Sequence, residues 1–153
     1  RLDGRSTYRG MLHVAKAATY EGKTPDGIPG ELLLSFHKGI VQGGTAMTTI
    51  GYCTTEADGR INDQMMWMHA GIRDQLTHMN RELKDAAPGV AISGQMTHCG
   101  NFSKNRKLQR LKRPLGPSRQ FNSLGAASGM PFAGAMTVRD IDYLVKPTPM
   151  RRD

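Results

Sequence analysis

Three apolar runs of strand length, separated by two segments of helical period, constrain this chain more than anything else in it. The runs are LHVAKAA (12–18), TAMTTIGYC (45–53) and VAISGQM (90–96). The first intervening segment, PDGIPGELLLSFHKGIVQGG (25–44), carries Leu33, Phe36 and Ile40 on one helical face. It predicts a helix that begins near Pro29, a residue suited to a first turn, and stops at Gly43 and Gly44. The second segment places Ile72, Leu76, Met79 and Leu83 on one face, with charged and polar residues between them, and closes at Pro88 and Gly89. ADGRIND reads as a turn. Strands alternating with helices of this length predict a parallel α/β sheet with right-handed crossovers. VAISGQM is continuous rather than alternating, which predicts a strand buried on both faces.

Beyond the third run comes a loop of roughly forty residues, studded with Gly, Pro and Ser; a loop that long inside one domain is functional or disordered. TVRD (137–140) then reads as a capping box, in which Thr137 caps a helix and Asp140 reaches back. The helix IDYLV follows and is cut off by Pro147 and Pro149. The predicted order is β-α-β-α-β-loop-α, with no internal repeat.

A chain of 153 residues suffices for one domain with a real core. No run approaches the roughly 20 apolar residues of a membrane helix, and no signal peptide is visible. Cys53 and Cys99 are too few for a disulfide framework, so the expected compartment is the reducing cytoplasm. The net charge of +8 is unevenly spread: Ala86 to Arg139 holds no Asp or Glu but includes Lys104, Arg106, Lys107, Arg110, Lys112, Arg113 and Arg119. Such a field attracts nucleic acid, phosphate groups or an acidic coenzyme, and a solvated loop is the plain alternative. With Phe102 and Phe121 as stacking residues, a non-catalytic nucleic-acid-binding module built on the basic loop 104–119 stays open.

In parallel α/β sheets ligands bind beyond the carboxyl ends of the strands. The readable ends here are Ala17-Ala18-Thr19, Gly51-Tyr52-Cys53 and Gln95 through Gly100. Ala17 and Ala18 are small enough for a planar ring to approach the backbone. Thr19 offers a hydroxyl, and Gln95 carries a donor and an acceptor on one terminal group, matching a pyrimidine edge. Each also has a structural reading, Thr19 as a turn hydroxyl and Gln95 as an amide satisfied by backbone. His98 and Cys99 lack the spacing of a zinc site, because neither cysteine has a CxxC partner. Cys99 as a nucleophile, activated by basic neighbours, is a lesser possibility.

The segment KAATYEGKTPDGIPGELLLSFHKGIVQGGTAMTTIGYCTTEADGR (16–60), with GQMTHCGNFSKN, RPLGPS and GMPFAGAMTVRDID in order after it, resembles the N-terminal part of the Old Yellow Enzyme family, the NADH:flavin oxidoreductases. The resemblance covers roughly residues 12 to 145. It implies a (β/α)₈ barrel that binds FMN and passes hydride from NAD(P)H to an electron-poor alkene, commonly an α,β-unsaturated carbonyl compound. It implies that Ala17, Ala18 and Thr19 lie against the flavin ring, that Tyr52 packs near it, and that Gln95 pairs with its pyrimidine edge. His98 sits where the family has a histidine that is more often structural than catalytic.

Such a barrel takes about 250 residues, so this chain supplies about the first three βα units. The family's substrate-binding pair, proton donor and phosphate-binding loops come later in its chains, and no catalytic residue is assigned here. The third block reads HCGN where HAGR is commoner, and KPTPMRRD does not continue the expected helix. The chain begins at Arg1 rather than Met. The expectation is therefore a single incomplete FMN-binding domain over residues 1–153, inactive alone and prone to self-association through exposed sheet edges. No membrane partner is expected, and nucleic acid is the alternative reading.

Overall fold

The computed structural model describes residues 12–103, 114–126 and 132–145. Strand β2 (Thr45–Thr54) is the axis of the fold. Along one edge it pairs in parallel with β1 (Leu12–Lys16), through Leu12–Thr45 and Lys16–Thr48. Along the other it pairs in parallel with β4 (Ala91–Thr97), from Met47–Ala91 to Thr54–Thr97. A two-residue strand, β3 (Met66–Trp67), joins β2 at Cys53 and Thr54. A strand has only two edges, so β3 continues the lane that β1 leaves after Lys16. All these pairings are parallel, as the alternation of strand and helix requires.

The crossovers are α1 (Glu31–Gln42) and α2 (Arg73–Ala86), the latter preceded by a 3₁₀ turn at Ala70–Ile72. Between helices and sheet lies a core of Leu33, Leu34, Val41, Ile50, Cys53, Met66, Ile72, Met79, Leu83 and Val90. Burial of each such aliphatic side chain contributes about 1.5–3 kcal/mol. The α2 face follows the expected stripe: Ile72, Met79 and Leu83 are buried and Leu76 packs beside them.

The α1 face is rotated from the expected one. Its buried residues are Leu33, Leu34, His37 and Val41, while Phe36 and Ile40 lie at the margin. Phe36 sits there beneath two ammonium groups, Lys23 at 5.1 Å and Lys16 at 5.4 Å from its ring centre. A histidine takes a core position because both its ring nitrogens find partners.

β4 is not buried on both faces. Gly94, Gln95 and Met96 are exposed, and among the described residues no strand covers its outer edge. Ile92 and Met96 line an apolar groove with Cys53, Leu76 and Met79 on the helix side. The alternation of a strand turns Ser93 and Gln95 to the opposite face. There the Ser93 and Thr49 hydroxyls are 2.7 Å apart.

The long stretch after β4 is not all loop. It holds a second small sheet, in which β7 (Phe132–Ala135) runs between a parallel β5 (Leu115–Gly116) and an antiparallel β6 (Gln120–Phe121), with a short α3 (Ser123–Ala126) between β6 and β7. Two-residue strands carry no periodic signal, which is why the sequence reads as loop. The capping box is present at the start of α4 (Val138–Val145). The Thr137 amide donates to Asp140 Oδ2 at 2.8 Å and the Asp140 amide to Thr137 Oγ1 at 3.3 Å. The basic run at 104–113 and the closing prolines 147 and 149 lie outside the described residues. No helix among the described residues is long and apolar enough to cross a membrane.

Candidate functional site

Three strand ends meet at one level of the sheet. Where β1 ends, Ala17–Tyr20 crosses beside Gly51 of β2. A Cβ built on Gly51 would stand 3.0 Å from the Thr19 carbonyl oxygen, 3.2 Å from the Ala18 methyl and 3.3 Å from the Thr19 nitrogen. A side chain there would press on Thr19 and Ala18 and push the two segments apart by a few tenths of an ångström, so glycine suits that approach. The Glu21 amide donates to the Gly51 carbonyl at 3.3 Å and holds the far end of the crossing. On the other side of β2, Ile50 faces Gly94 and Cys53 faces Met96. Gln95 therefore stands level with Gly51 and Tyr52, where the register slips and the Gly51–Tyr52 peptide is cis.

The sequence-predicted residues Ala17, Ala18, Thr19, Tyr52 and Gln95 thus share one rim. Ala17, Thr19 and Gln95 are exposed, and Ala18 and Tyr52 are half-buried. Neither the Thr19 hydroxyl nor the Gln95 amide has a hydrogen-bond partner among the described residues. The Tyr52 ring lies 6.1 Å from that of Tyr20, tilted by 39°. The Tyr20 hydroxyl donates to Asn62 Oδ1 at 2.7 Å; burial of the phenol outweighs that bond and pushes its pKa up.

His98 and Cys99 do not join the rim as reactive groups. The His98 ring packs flat against Gly59, where a Cβ would come within 2.7 Å of it, and Nδ1 accepts from the Gly100 amide at 3.1 Å. This is a ring fixed by backbone. The Cys99 sulfur lies 3.7 Å from that of Met65, and burial pushes its thiol pKa up despite a hydrogen bond with the Ile61 backbone. Burial thus works against the lesser reading of Cys99 as a nucleophile. Cys53, deeper still, is pushed up to about 11, first by burial and then by the negative charge of Glu21.

Beneath the rim lies a polar chain that sequence reasoning missed. The Glu21 carboxylate accepts from Lys16 Nζ and from His37 Nε2, the latter at 3.1 Å. His37 Nδ1 is 2.7 Å from Thr48 Oγ1, and Lys16 Nζ also donates to the Thr49 carbonyl at 2.8 Å. A carboxylate can only accept, so Nε2 carries a proton toward Glu21, while Nδ1 and the Thr48 hydroxyl share the second hydrogen bond. The order carboxylate–imidazole–hydroxyl resembles a hydrolase triad. It cannot act as one, because His37 and Thr48 have no exposed surface and no substrate can reach the hydroxyl. One signal could have found His37: it falls four residues after Leu33 and four before Val41, on the apolar stripe. Glu21 gives no periodic signal.

Burial alone would raise the Glu21 carboxyl, but hydrogen bonds and attraction from His37 and Lys16 outweigh it, and the net shift is downward from 4.5. A carboxyl with a lowered folded value contributes stability that is present above its free value and is lost as pH falls through the folded value. Glu21→Gln is expected to lower the urea midpoint near neutrality, and the gap from wild type to shrink as pH falls below 4.5. A gap that stays constant down to pH of about 2 would contradict the ionised pairing.

No protein-family model matches the chain. Among curated proteins it is 32% identical over 124 residues to the 4,4'-dithiodibutanoate disulfide reductase of Rhodococcus erythropolis, a match over 78% of this chain and 29% of that protein. Among solved structures it superposes on morphinone reductase in complex with tetrahydroNAD with a TM-score of 0.69 at 16% identity, covering 89% of this chain and 41% of that one. On Old Yellow Enzyme from Pichia sp. AKU4542 the TM-score is 0.70 at 13% identity, covering 86% and 35%. Over that portion, this chain shares the fold of Old Yellow Enzyme. The blocks quoted above from the sequence resemble the same group. The chain spans less than a third of the curated relative and well under half of these Old Yellow Enzyme-type structures.

Proposed function

We propose that this chain is the N-terminal portion of an FMN-dependent oxidoreductase of the Old Yellow Enzyme type, forming about the first three units of a (β/α)₈ barrel. The observation that carries the reading is the common level of the three strand ends, with Ala18 and Thr19 against Gly51 and Gln95 beside them. In a closed barrel the face bearing Thr49, Ser93 and Gln95 is the interior. The open edge of β4 is where the next unit adds; in its absence that edge favours self-association.

The rim fits the pyrimidine edge of a flavin. Ala17 and Ala18 present only methyl groups, so a flat ring can lie close to the main chain. The Thr19 hydroxyl donates to an edge oxygen. The Gln95 amide both donates and accepts, as adjacent C=O and N–H groups require. Tyr52 limits the ring's position from the β2 side. When bound, FMN supplies hydride transfer between NAD(P)H and an electron-poor acceptor. This chain's own contribution is to hold the ring edge and to place donors where negative charge grows on reduction.

An α,β-unsaturated carbonyl compound is the acceptor class proposed from the resemblance. The relative from Rhodococcus is named for a disulfide acceptor, which makes an organic disulfide the second class to test. The decisive measurement is titration of the protein with FMN, followed by flavin absorbance and fluorescence quenching. Saturable binding with a shifted flavin spectrum is expected, and NADH or NADPH should bleach it once the rest of the barrel is present. Cyclohexenone and an organic disulfide then compete as reoxidants. Absence of FMN binding by the complete protein would refute the reading.

A further inference from the structure

The residues on either side of the Ala17–Tyr20 crossing, Lys16 and Glu21, are paired with each other. We propose that Glu21 is a positioning residue: its carboxylate, seated between Lys16 and His37, closes the crossing into a clamped loop and so fixes Ala18 and Thr19 against Gly51. The clamp rests on the flavin reading only for its consequence, the placement of a ring edge. Its mechanics belong to this chain alone.

Four observations converge on it. The Glu21 side chain is 2% exposed, so the carboxylate has left water and depends on its partners. Those partners come from three directions: Lys16 from the end of β1, His37 from α1, and through His37 the Thr48 hydroxyl of β2. The Glu21 amide meanwhile donates to the Gly51 carbonyl, so main chain and side chain of one residue tie the crossing to two elements. Lys16 Nζ, held by Glu21, donates also to the Thr49 carbonyl and pins the near end to β2. The crossing is thus anchored at both ends and has no room to shift toward β2, where Gly51 already touches it. A side chain at Gly51 would push the crossing outward, and without the anchors the crossing would be free to move away from β2. A rim that must meet a rigid ring at fixed height needs both.

Removing the negative charge leaves Lys16 and His37 as donors facing an amide that can accept at only one atom. The expected loosening is largest at the crossing, because the apolar core between the helices and the sheet does not include Glu21.

The test is Glu21→Gln in the full chain, read first without flavin by hydrogen–deuterium exchange of peptides covering residues 16–22, against peptides from α2 and β4. Exchange of the 16–22 peptide at least about tenfold faster, and faster by clearly more than any rise in α2, supports the clamp. Unchanged exchange at 16–22 overturns it. If the glutamine variant does not fold, Glu21→Asp, which keeps the charge on a shorter stem, is read the same way. Exchange that rises equally everywhere assigns Glu21 a general stabilising role and overturns positioning. The second reading adds FMN to the complete protein carrying the same change: at least about tenfold weaker binding and a shifted flavin spectrum are expected in the variant. Flavin affinity and spectrum unchanged alongside a loosened crossing overturn the link to the ring. Failure of the wild-type complete protein to bind FMN sinks the proposed function but leaves the exchange result standing, so the two are separable.

Discussion

Leu83→Ala is expected to lower the unfolding free energy by about 2–5 kcal/mol, a large fraction of the 5–15 kcal/mol typical of a whole domain. Leu83 has no exposed surface and lies in the last turns of α2, in one cluster with Met79, Val90 and Ile50. Removing three carbons there forfeits their transfer from water and leaves a cavity. The site relaxes poorly, because the sheet below is held by parallel ladder bonds on both edges of β2. The neighbouring Leu76, only partly buried, provides the control: its alanine variant should cost clearly less. Chemical denaturation monitored by far-ultraviolet circular dichroism measures both. The midpoint should fall for Leu83→Ala with the slope unchanged. A loss below about 1 kcal/mol would mean that α2 does not pack on the sheet as described.

Gln95→Ala carries the largest functional effect. If the Gln95 amide donates to a flavin edge oxygen, the bond strengthens when the ring gains negative charge. A hydrogen bond to a charged group contributes about 1.5–3 kcal/mol. For a two-electron couple, where 30 mV corresponds to about 1.4 kcal/mol, its loss should lower the FMN potential by roughly 30–65 mV. The residue is exposed at the strand end, so its removal disturbs little of the core. Fold stability should therefore stay within about 0.5 kcal/mol of wild type. Spectroelectrochemical titration of the FMN-loaded protein makes the measurement. A potential identical to wild type would remove Gln95 from the ring edge, whatever the affinity does.

The element order was readable because each segment carries its own period. α2 is the clearest case: Ile72, Met79 and Leu83 face the core as their spacing demands. The capping box at Thr137 and Asp140 was readable for a similar reason, since its partners are three residues apart. The α1 face was not. Counting apolar residues favours Phe36 and Ile40, yet the buried stripe runs through His37, because Glu21 and Thr48 satisfy its ring from two other segments. No local pattern can announce partners 16 residues before and 11 residues after. β4 failed in the opposite sense. Its run looks buried, but burial depends on neighbours, and its outer edge pairs with no described strand.

For the candidate site, residue types were legible and their assembly was not. The sequence by itself determined the parallel alternation of strands and helices, the α2 face, and the small and amide-bearing residues at the strand ends. These follow from periodicity and side-chain chemistry, which act over a few residues. Only the tertiary structure decided that Thr19, Tyr52 and Gln95 stand at one level, that Gly51 lies close against the crossing, and that Glu21 and His37 are buried together. Those facts depend on the register between strands 30 to 45 positions apart, set by the packing of the whole sheet against its helices.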